Sequence, residues 1–163
     1  MRKIIIPLIF ILILCSCSKN SNVKPVTGNL SFTLQSVLNN NEYIIDAKTD
    51  SDSNLSLSFK APENLKNLKM HIKDYNITVN FMDLEKEIPL KSVEEDSPIS
   101  IIFEAVNTAL KTEKLDFKDN EYLCDFNVKN SDYSFIFSQS GLPLSIKKND
   151  ENLILFKSVT VLN

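Results

Sequence analysis

The stretch from Pro98 to about Lys111 constrains this chain more than any other. Ser97 is a good helix cap, and Pro98 suits the first helical position, where its fixed φ fits and its missing N–H is not needed. Glu94, Glu95 and Asp96 lie just upstream, where the positive end of a helix dipole favours them. At 100° per residue, Ile99, Ile101, Ile102, Phe103, Ala105, Val106, Ala109 and Leu110 cover an arc of roughly 200°, and Ser100, Glu104, Asn107, Thr108 and Lys111 take the remainder. A helix lying on a flat layer needs an apolar stripe of only about 100°. Something in the fold must therefore bend around this helix.

The rest of the chain reads as strands that could do so. Period-two alternation is clear in Leu55, Leu57, Phe59 and Ala61, again in Leu68, Met70 and Ile72, and again in Ile77, Val79 and Phe81, each set with polar residues between. Such strands bury one face and wet the other, the habit of antiparallel sheets. Asn39-Asn40-Asn41, Asp50 to Asn54 and Asp74-Tyr75-Asn76 supply turn formers that tolerate left-handed backbone. After the helix the pattern resumes at Tyr122, Cys124, Phe126 and Val128, then at Tyr133, Phe135 and Phe137, then at Leu144 and Ile146, and finally over Leu153 to Val161. Adding strands at Leu30 to Leu38, at Tyr43 to Ala47 and near Ile88 gives about ten, joined as a meander by short connections. The expected architecture is α+β and mostly antiparallel: a curved half-barrel sheet closed over one amphipathic helix at 98–111.

Composition narrows the chemistry. The 163 residues carry a formal charge of -3, with 2 Gly, 1 His and no Trp. Gly-rich phosphate cradles need two or three glycines within a few residues, so they have no place here. There is no basic excess to draw the chain to nucleic acid. One histidine leaves almost no His-based metal site or triad to consider.

The first residues give an address. Arg2 and Lys3 precede an apolar run from Ile4 to Leu14, which is the length of a secretory signal core and too short to span a bilayer. Leu14-Cys15-Ser16-Cys17-Ser18 is similar to the bacterial lipobox, with a branched apolar residue three before the acylated cysteine and a small residue just before it. Cys17 fits, because Ser16 precedes it; Cys15 would put Leu14 in the small-residue slot. The resemblance implies that residues 1–16 are a cleaved signal peptide and that Cys17 carries diacylglycerol and a further N-linked acyl chain such as palmitate. Export to the outer face of the cell membrane follows, with the membrane as partner through the anchor. Two or three acyl chains at about 0.8 kcal/mol per buried CH₂ hold a protein firmly. Cleavage would leave 16 lysines against 21 acidic residues, so the domain should stand off from an anionic leaflet. Residues 17–28 then read as a lipidated N-terminus and flexible tether, and 29–163 as a single domain.

Within that domain, Lys60-Ala61-Pro62-Glu63-Asn64-Leu65 and Ser140-Gly141-Leu142-Pro143-Leu144-Ser145-Ile146, set in the order strands, helix, strands, resemble the LolA/LolB lipoprotein-carrier superfamily, in which a Gly-x-Pro turn introduces a strand near the C-terminus. The resemblance implies an incomplete barrel with helical cover that carries acyl chains inside. One departure weakens the transfer: the soluble carrier latches its lid with an arginine, and the only arginine here, Arg2, lies in the signal segment.

Candidates for catalysis are few. His71 alternates onto the polar face of its strand and reads as a solvated imidazole. Glu94, Glu95 and Asp96 lack the spacing and the Gly of a Ca²⁺ loop. Asp116, Asp119 and Glu121 suit a solvated turn. Ser140-Gly141 lacks the preceding Gly of a nucleophile elbow. Cys124 falls on an apolar face and reads as an inert buried thiol. The expectation is a non-enzymatic protein without cofactor or metal. Three readings stay open, the third of them a surface hydrolase built on a carboxylate pair that nothing in the sequence nominates. In the first, a lipid or acyl chain is bound or sensed between helix and sheet, lined by Phe59, Phe81, Ile102, Phe103, Val106 and Leu110. In the second, the core is filled and the protein is a structural or interaction module for an envelope protein. The volume between helix and sheet separates the first two.

Overall fold

The computed structural model describes residues 22–162, except 39, 40, 53, 95 and 96. Eleven strands form one antiparallel sheet: β1 (Leu30–Leu38), β2 (Asn41–Thr49), β3 (Leu55–Ala61), β4 (Lys69–Lys73), β5 (Asn76–Phe81), β6 (Leu84–Pro89), β7 (Asp116–Lys118), β8 (Glu121–Val128), β9 (Ser131–Phe137), β10 (Pro143–Lys148) and β11 (Glu151–Val161). Their order across the sheet is β6-β5-β4-β3-β2-β1-β11-β10-β9-β8-β7, so the first and last strands of the chain, β1 and β11, meet at the centre. β6 and β7 are left as edges, and the curved sheet does not close. The one α-helix among the described residues, α1 (Pro98–Lys111), joins β6 to β7 and covers the inner face. The α+β half-barrel expected from the helix's apolar arc is the observed fold.

Neighbouring strands pair in sequence order because their turns are short. At Asp74-Tyr75, Asp119-Asn120 and Asn149-Asp150 both turn residues have positive φ, the conformation that matches the twist of the flanking strands and that Asn and Asp adopt at low cost. Of the stretch Asp116 to Glu121, expected to be a solvated turn, Asp119-Asn120 is the turn, whereas Asp116–Lys118 is the short edge strand β7 and Glu121 begins β8. Three residues with one apolar side chain are too brief a pattern to announce a strand; the ladder with Leu123, Tyr122 and Glu121 makes it one.

Register puts the apolar residues in rows. Leu30, Thr49, Leu55, Ile72, Ile77 and Ile88 stand side by side from β1 to β6. The next inner row holds Phe32, Ala47, Leu57, Met70 and Val79; farther along, Leu34 lies between Ile45 and Phe156, and Ile146 between Phe135 and Ile154. These rows and the helix make one core. The helix needs the curvature: Ile101, Ile102, Phe103, Ala105, Val106 and Ala109 are buried, and so are Ser100 and Asn107. A flat layer would leave about half of that circumference in water. Ser97 caps the helix as expected, its Oγ accepting the Ser100 N–H at 3.2 Å.

From Val23 onward the segment expected to be a free tether is bound to the domain. The Val23 carbonyl accepts the Leu115 N–H at 2.9 Å, and the Val26 N–H donates to the Gly141 carbonyl at 2.8 Å. The Gly28 carbonyl accepts the Thr49 hydroxyl at 2.7 Å. Val23, Pro25 and Val26 give this polar stretch enough apolar surface to pack on the core, which a composition reading of residues 18–28 overlooks. The signal segment, Cys15 and Cys17 lie outside the described residues.

Candidate functional site

The seam between α1 and the sheet is where either reading must be decided, and it is nearly full. A gap at the C-terminal half of the helix measures about 20 Å³. A water needs roughly 10–15 Å³ by this measure, and a ligand pocket about 300–1,000 Å³. That gap has room for one water and none for an acyl chain.

The walls of the gap come from several elements. Val106, Ala109 and Leu110 face it from the helix, Leu30 and Phe32 from β1, Phe135 and Phe137 from β9, Pro143 from β10 and Phe156 from β11. Four of these rings form a chain: Phe32 lies 5.1 Å from Phe156, Phe156 lies 5.2 Å from Phe135, and Phe135 lies 4.3 Å from Phe137, centroid to centroid. The remaining side is closed by Val26, Thr27 and Gly28, a strap of irregular backbone, together with Thr49 and Asp50 at the end of β2. Asp50 does not offer its charge to the gap. Burial works against its ionisation, but hydrogen bonds from the Asn54 side chain and from the N–H groups of Asn54 and Asp52 outweigh this and hold its pKa below the ordinary 3.8.

The six residues expected to line a ligand divide. Phe59, Ile102, Phe103 and Val106 are all in the buried core. Only Val106 and Leu110 of the six reach the gap, and Leu110 is half-buried. Phe103 packs edge-on against Tyr75 at 5.3 Å, at the other end of the helix. Phe81 is elsewhere: it ends β5 opposite Leu84 and is not part of the core. Of the aromatic floor, Phe135 and Phe137 were legible as alternation in β9, whereas the strap had no signal.

The chemical candidates separate from the seam and from one another. His71 is exposed on the outer face, with Nδ1 3.0 Å from the Ser56 hydroxyl. Ser140 shares a hydrogen bond with Ser138 at 2.8 Å in the β9–β10 turn, with no base beside it. Among the described residues no group of three His, Cys, Asp or Glu could hold a metal ion. Cys124 is buried, and burial pushes its thiol up to about 11, against the lowering effect of a hydrogen bond shared with Thr112. A thiol so placed is a poor nucleophile at neutral pH. An open outer depression of about 890 Å³ crosses β8 to β10, floored in part by Leu123 and Ile136 and crossed by the Lys147–Glu121 ion pair at 2.7 Å. No described helix is long and apolar enough to cross a membrane.

No family model and no curated protein matches the sequence. Solved structures similar to this chain include those of two proteins. An uncharacterized conserved protein from Thermus thermophilus shares the fold at a TM-score of 0.52, with 11% identity over 85% of this chain and 81% of that one. A LolA superfamily protein from Nitrosomonas europaea aligns at a TM-score of 0.43, with 7% identity over 88% of this chain and 90% of that one. At 11% identity the likeness to the Thermus protein concerns the fold and carries no residue roles.

Proposed function

We propose that this chain is an exported, lipid-anchored bacterial protein, not an enzyme, that binds a hydrophobic ligand of the acyl-chain class at the seam between α1 and the sheet. The observation that carries the reading is the construction of the gap beside Leu110, whose floor is four phenylalanine rings and whose outer wall is an irregular strap. Energetics make opening feasible. An acyl chain gains about 0.8 kcal/mol per buried CH₂, so fourteen methylenes contribute roughly 11 kcal/mol, comparable with parting half a dozen side chains at about 1.5–3 kcal/mol each. The sequence resemblance to LolA/LolB carriers points the same way. The Cys17 anchor would keep the domain at the outer face of the membrane.

A second reading, a filled envelope module that binds a protein partner from outside, is favoured by the size of the gap, about 20 Å³. Native mass spectrometry of the full-length protein, gently extracted from its own membranes, separates the two. The ligand reading expects a bound lipid or fatty acid beyond the mass of the anchored protein; bare anchored protein alone supports the module. Replacing Cys17 by Ala should abolish labelling with radioactive palmitate and block signal cleavage. Persistent labelling would move the anchor elsewhere.

A further inference from the structure

We propose that the strap Val23–Gly28 is the gate of the seam: its release uncovers the gap beside Leu110 and admits an acyl chain from the membrane on which the protein is anchored. This rests on the ligand reading above and assigns how that site opens.

The strap differs from the other walls. Those are mostly helix or strand backbone, with hydrogen bonds tied into ladders, whereas the strap is held by separate contacts to three places. These are the Leu115 N–H after the helix, the Gly141 carbonyl in the β9–β10 turn and the Thr49 hydroxyl at the end of β2. Segments tied by a few dispersed bonds open below the free energy of global unfolding. Opening here requires no strand to leave the sheet and no turn of helix to unwind. The partner surfaces are specific: Pro25 is buried, and Val23 and Val26 pack on the core, so the closed strap covers apolar surface that an acyl chain could cover in its place.

Chain arithmetic supplies the direction. Cys17 lies six residues before Val23, which at full extension is about 20 Å. With Cys17 lipidated, the strapped end of the seam is therefore the end held close to the bilayer. An acyl chain leaving the bilayer then has at most about 20 Å to cross before it meets the strap.

The test uses full-length lipidated protein in phosphatidylcholine vesicles containing a lipid with a diazirine on its acyl chain. After photolysis, peptide mapping locates the label, and hydrogen exchange at the Leu115 amide reports the strap. Two variants loosen it without touching the floor: Thr49→Val, close in shape and lacking the hydroxyl, and Val26→Pro, lacking the N–H donated to Gly141. The expected result is label on peptides spanning Val106–Leu110 and Phe135–Pro143, with labelling and Leu115 exchange both rising about two- to tenfold in either variant, the effect of one lost hydrogen bond. Label in the seam whose yield does not change while Leu115 exchange rises overturns the gate and leaves the ligand reading standing. Absence of seam label in all three proteins overturns the ligand reading itself.

Discussion

The carbonyl oxygen of Lys24 stands 2.0 Å from the point a Cβ on Gly141 would occupy. Gly141 also has φ +79, where L side chains are strained, so two independent demands fall on one residue. Its carbonyl receives the Val26 N–H, which makes the β9–β10 turn the dock of the strap. Gly28 has φ +98 but nothing within 4 Å of its would-be Cβ. Gly28→Ala should therefore cost only the backbone strain, about 1–2 kcal/mol. Gly141→Ala should cost more, at least about 2 kcal/mol, because the strap must also leave. Urea denaturation of both variants gives the difference, and equal losses would show that the close approach contributes nothing.

The residues first expected around a ligand now carry distinct stability costs. Ile102 is 1% exposed beneath the helix, so Ile102→Ala should destabilise by about 2–5 kcal/mol. Phe81 is only half-buried at the end of a hairpin, and Phe81→Ala should cost under about 1 kcal/mol. Thermal melts of the two variants measure this directly. A loss at Phe81 as large as that at Ile102 would mean that the end of β5 belongs to the core.

Much of the architecture was legible because it depends on repetition. Alternation at Leu55, Leu57 and Phe59 specifies a half-buried strand wherever it occurs, and the arc from Ile99 to Leu110 requires a curved cover whatever the strand order. What escaped depends on pairs far apart in sequence. Nothing about Val26 announces that its N–H meets residue 141, and nothing in Ser140-Gly141-Leu142-Pro143 reveals that the glycine makes room for Lys24. Phe81 shows the opposite error: its alternation was read correctly, but not that the inner face has run past the core by the end of β5. The size of the gap depends on how side chains interdigitate, and no periodicity encodes that.

Cys124 should make the protein less stable in alkali. Its folded pKa, about 11, lies above the ordinary 9.0, first because burial disfavours the thiolate, with Asp125 and Asp116 adding to the effect. Below pH 9 the thiol is protonated in both states and contributes no pH dependence. Between 9 and 11 the unfolded chain releases the proton and the folded one keeps it, so stability falls by up to about 1.4 kcal/mol per pH unit. The measure is the difference in slope between wild type and Cys124→Ala, in urea midpoints from pH 8 to 10.5, which isolates the thiol from every other group. Parallel slopes would mean that the thiol ionises as easily inside as out.

The open edge at β6 is guarded against a second copy by its own charges. Two copies pairing antiparallel through a two-fold axis normal to the sheet must oppose residues of the same face. Centred on Lys86, the register sets Lys86 against its own copy and Glu85 against Glu87 twice; centred on Glu85 or Glu87, it sets that glutamate against itself. Like charges directly opposite destabilise a pair, and charged edges are a common device against such pairing. Wild type should therefore not dimerise through β6. Glu85→Lys replaces the two Glu–Glu oppositions with two Lys–Glu ones, each worth about 0.2–1 kcal/mol, and should raise the dimer fraction. Sedimentation velocity at matched concentration and low salt reads the change, and added salt should weaken it. Wild type already dimeric through β6, or a variant no more associated than wild type, would show that charge does not govern this edge.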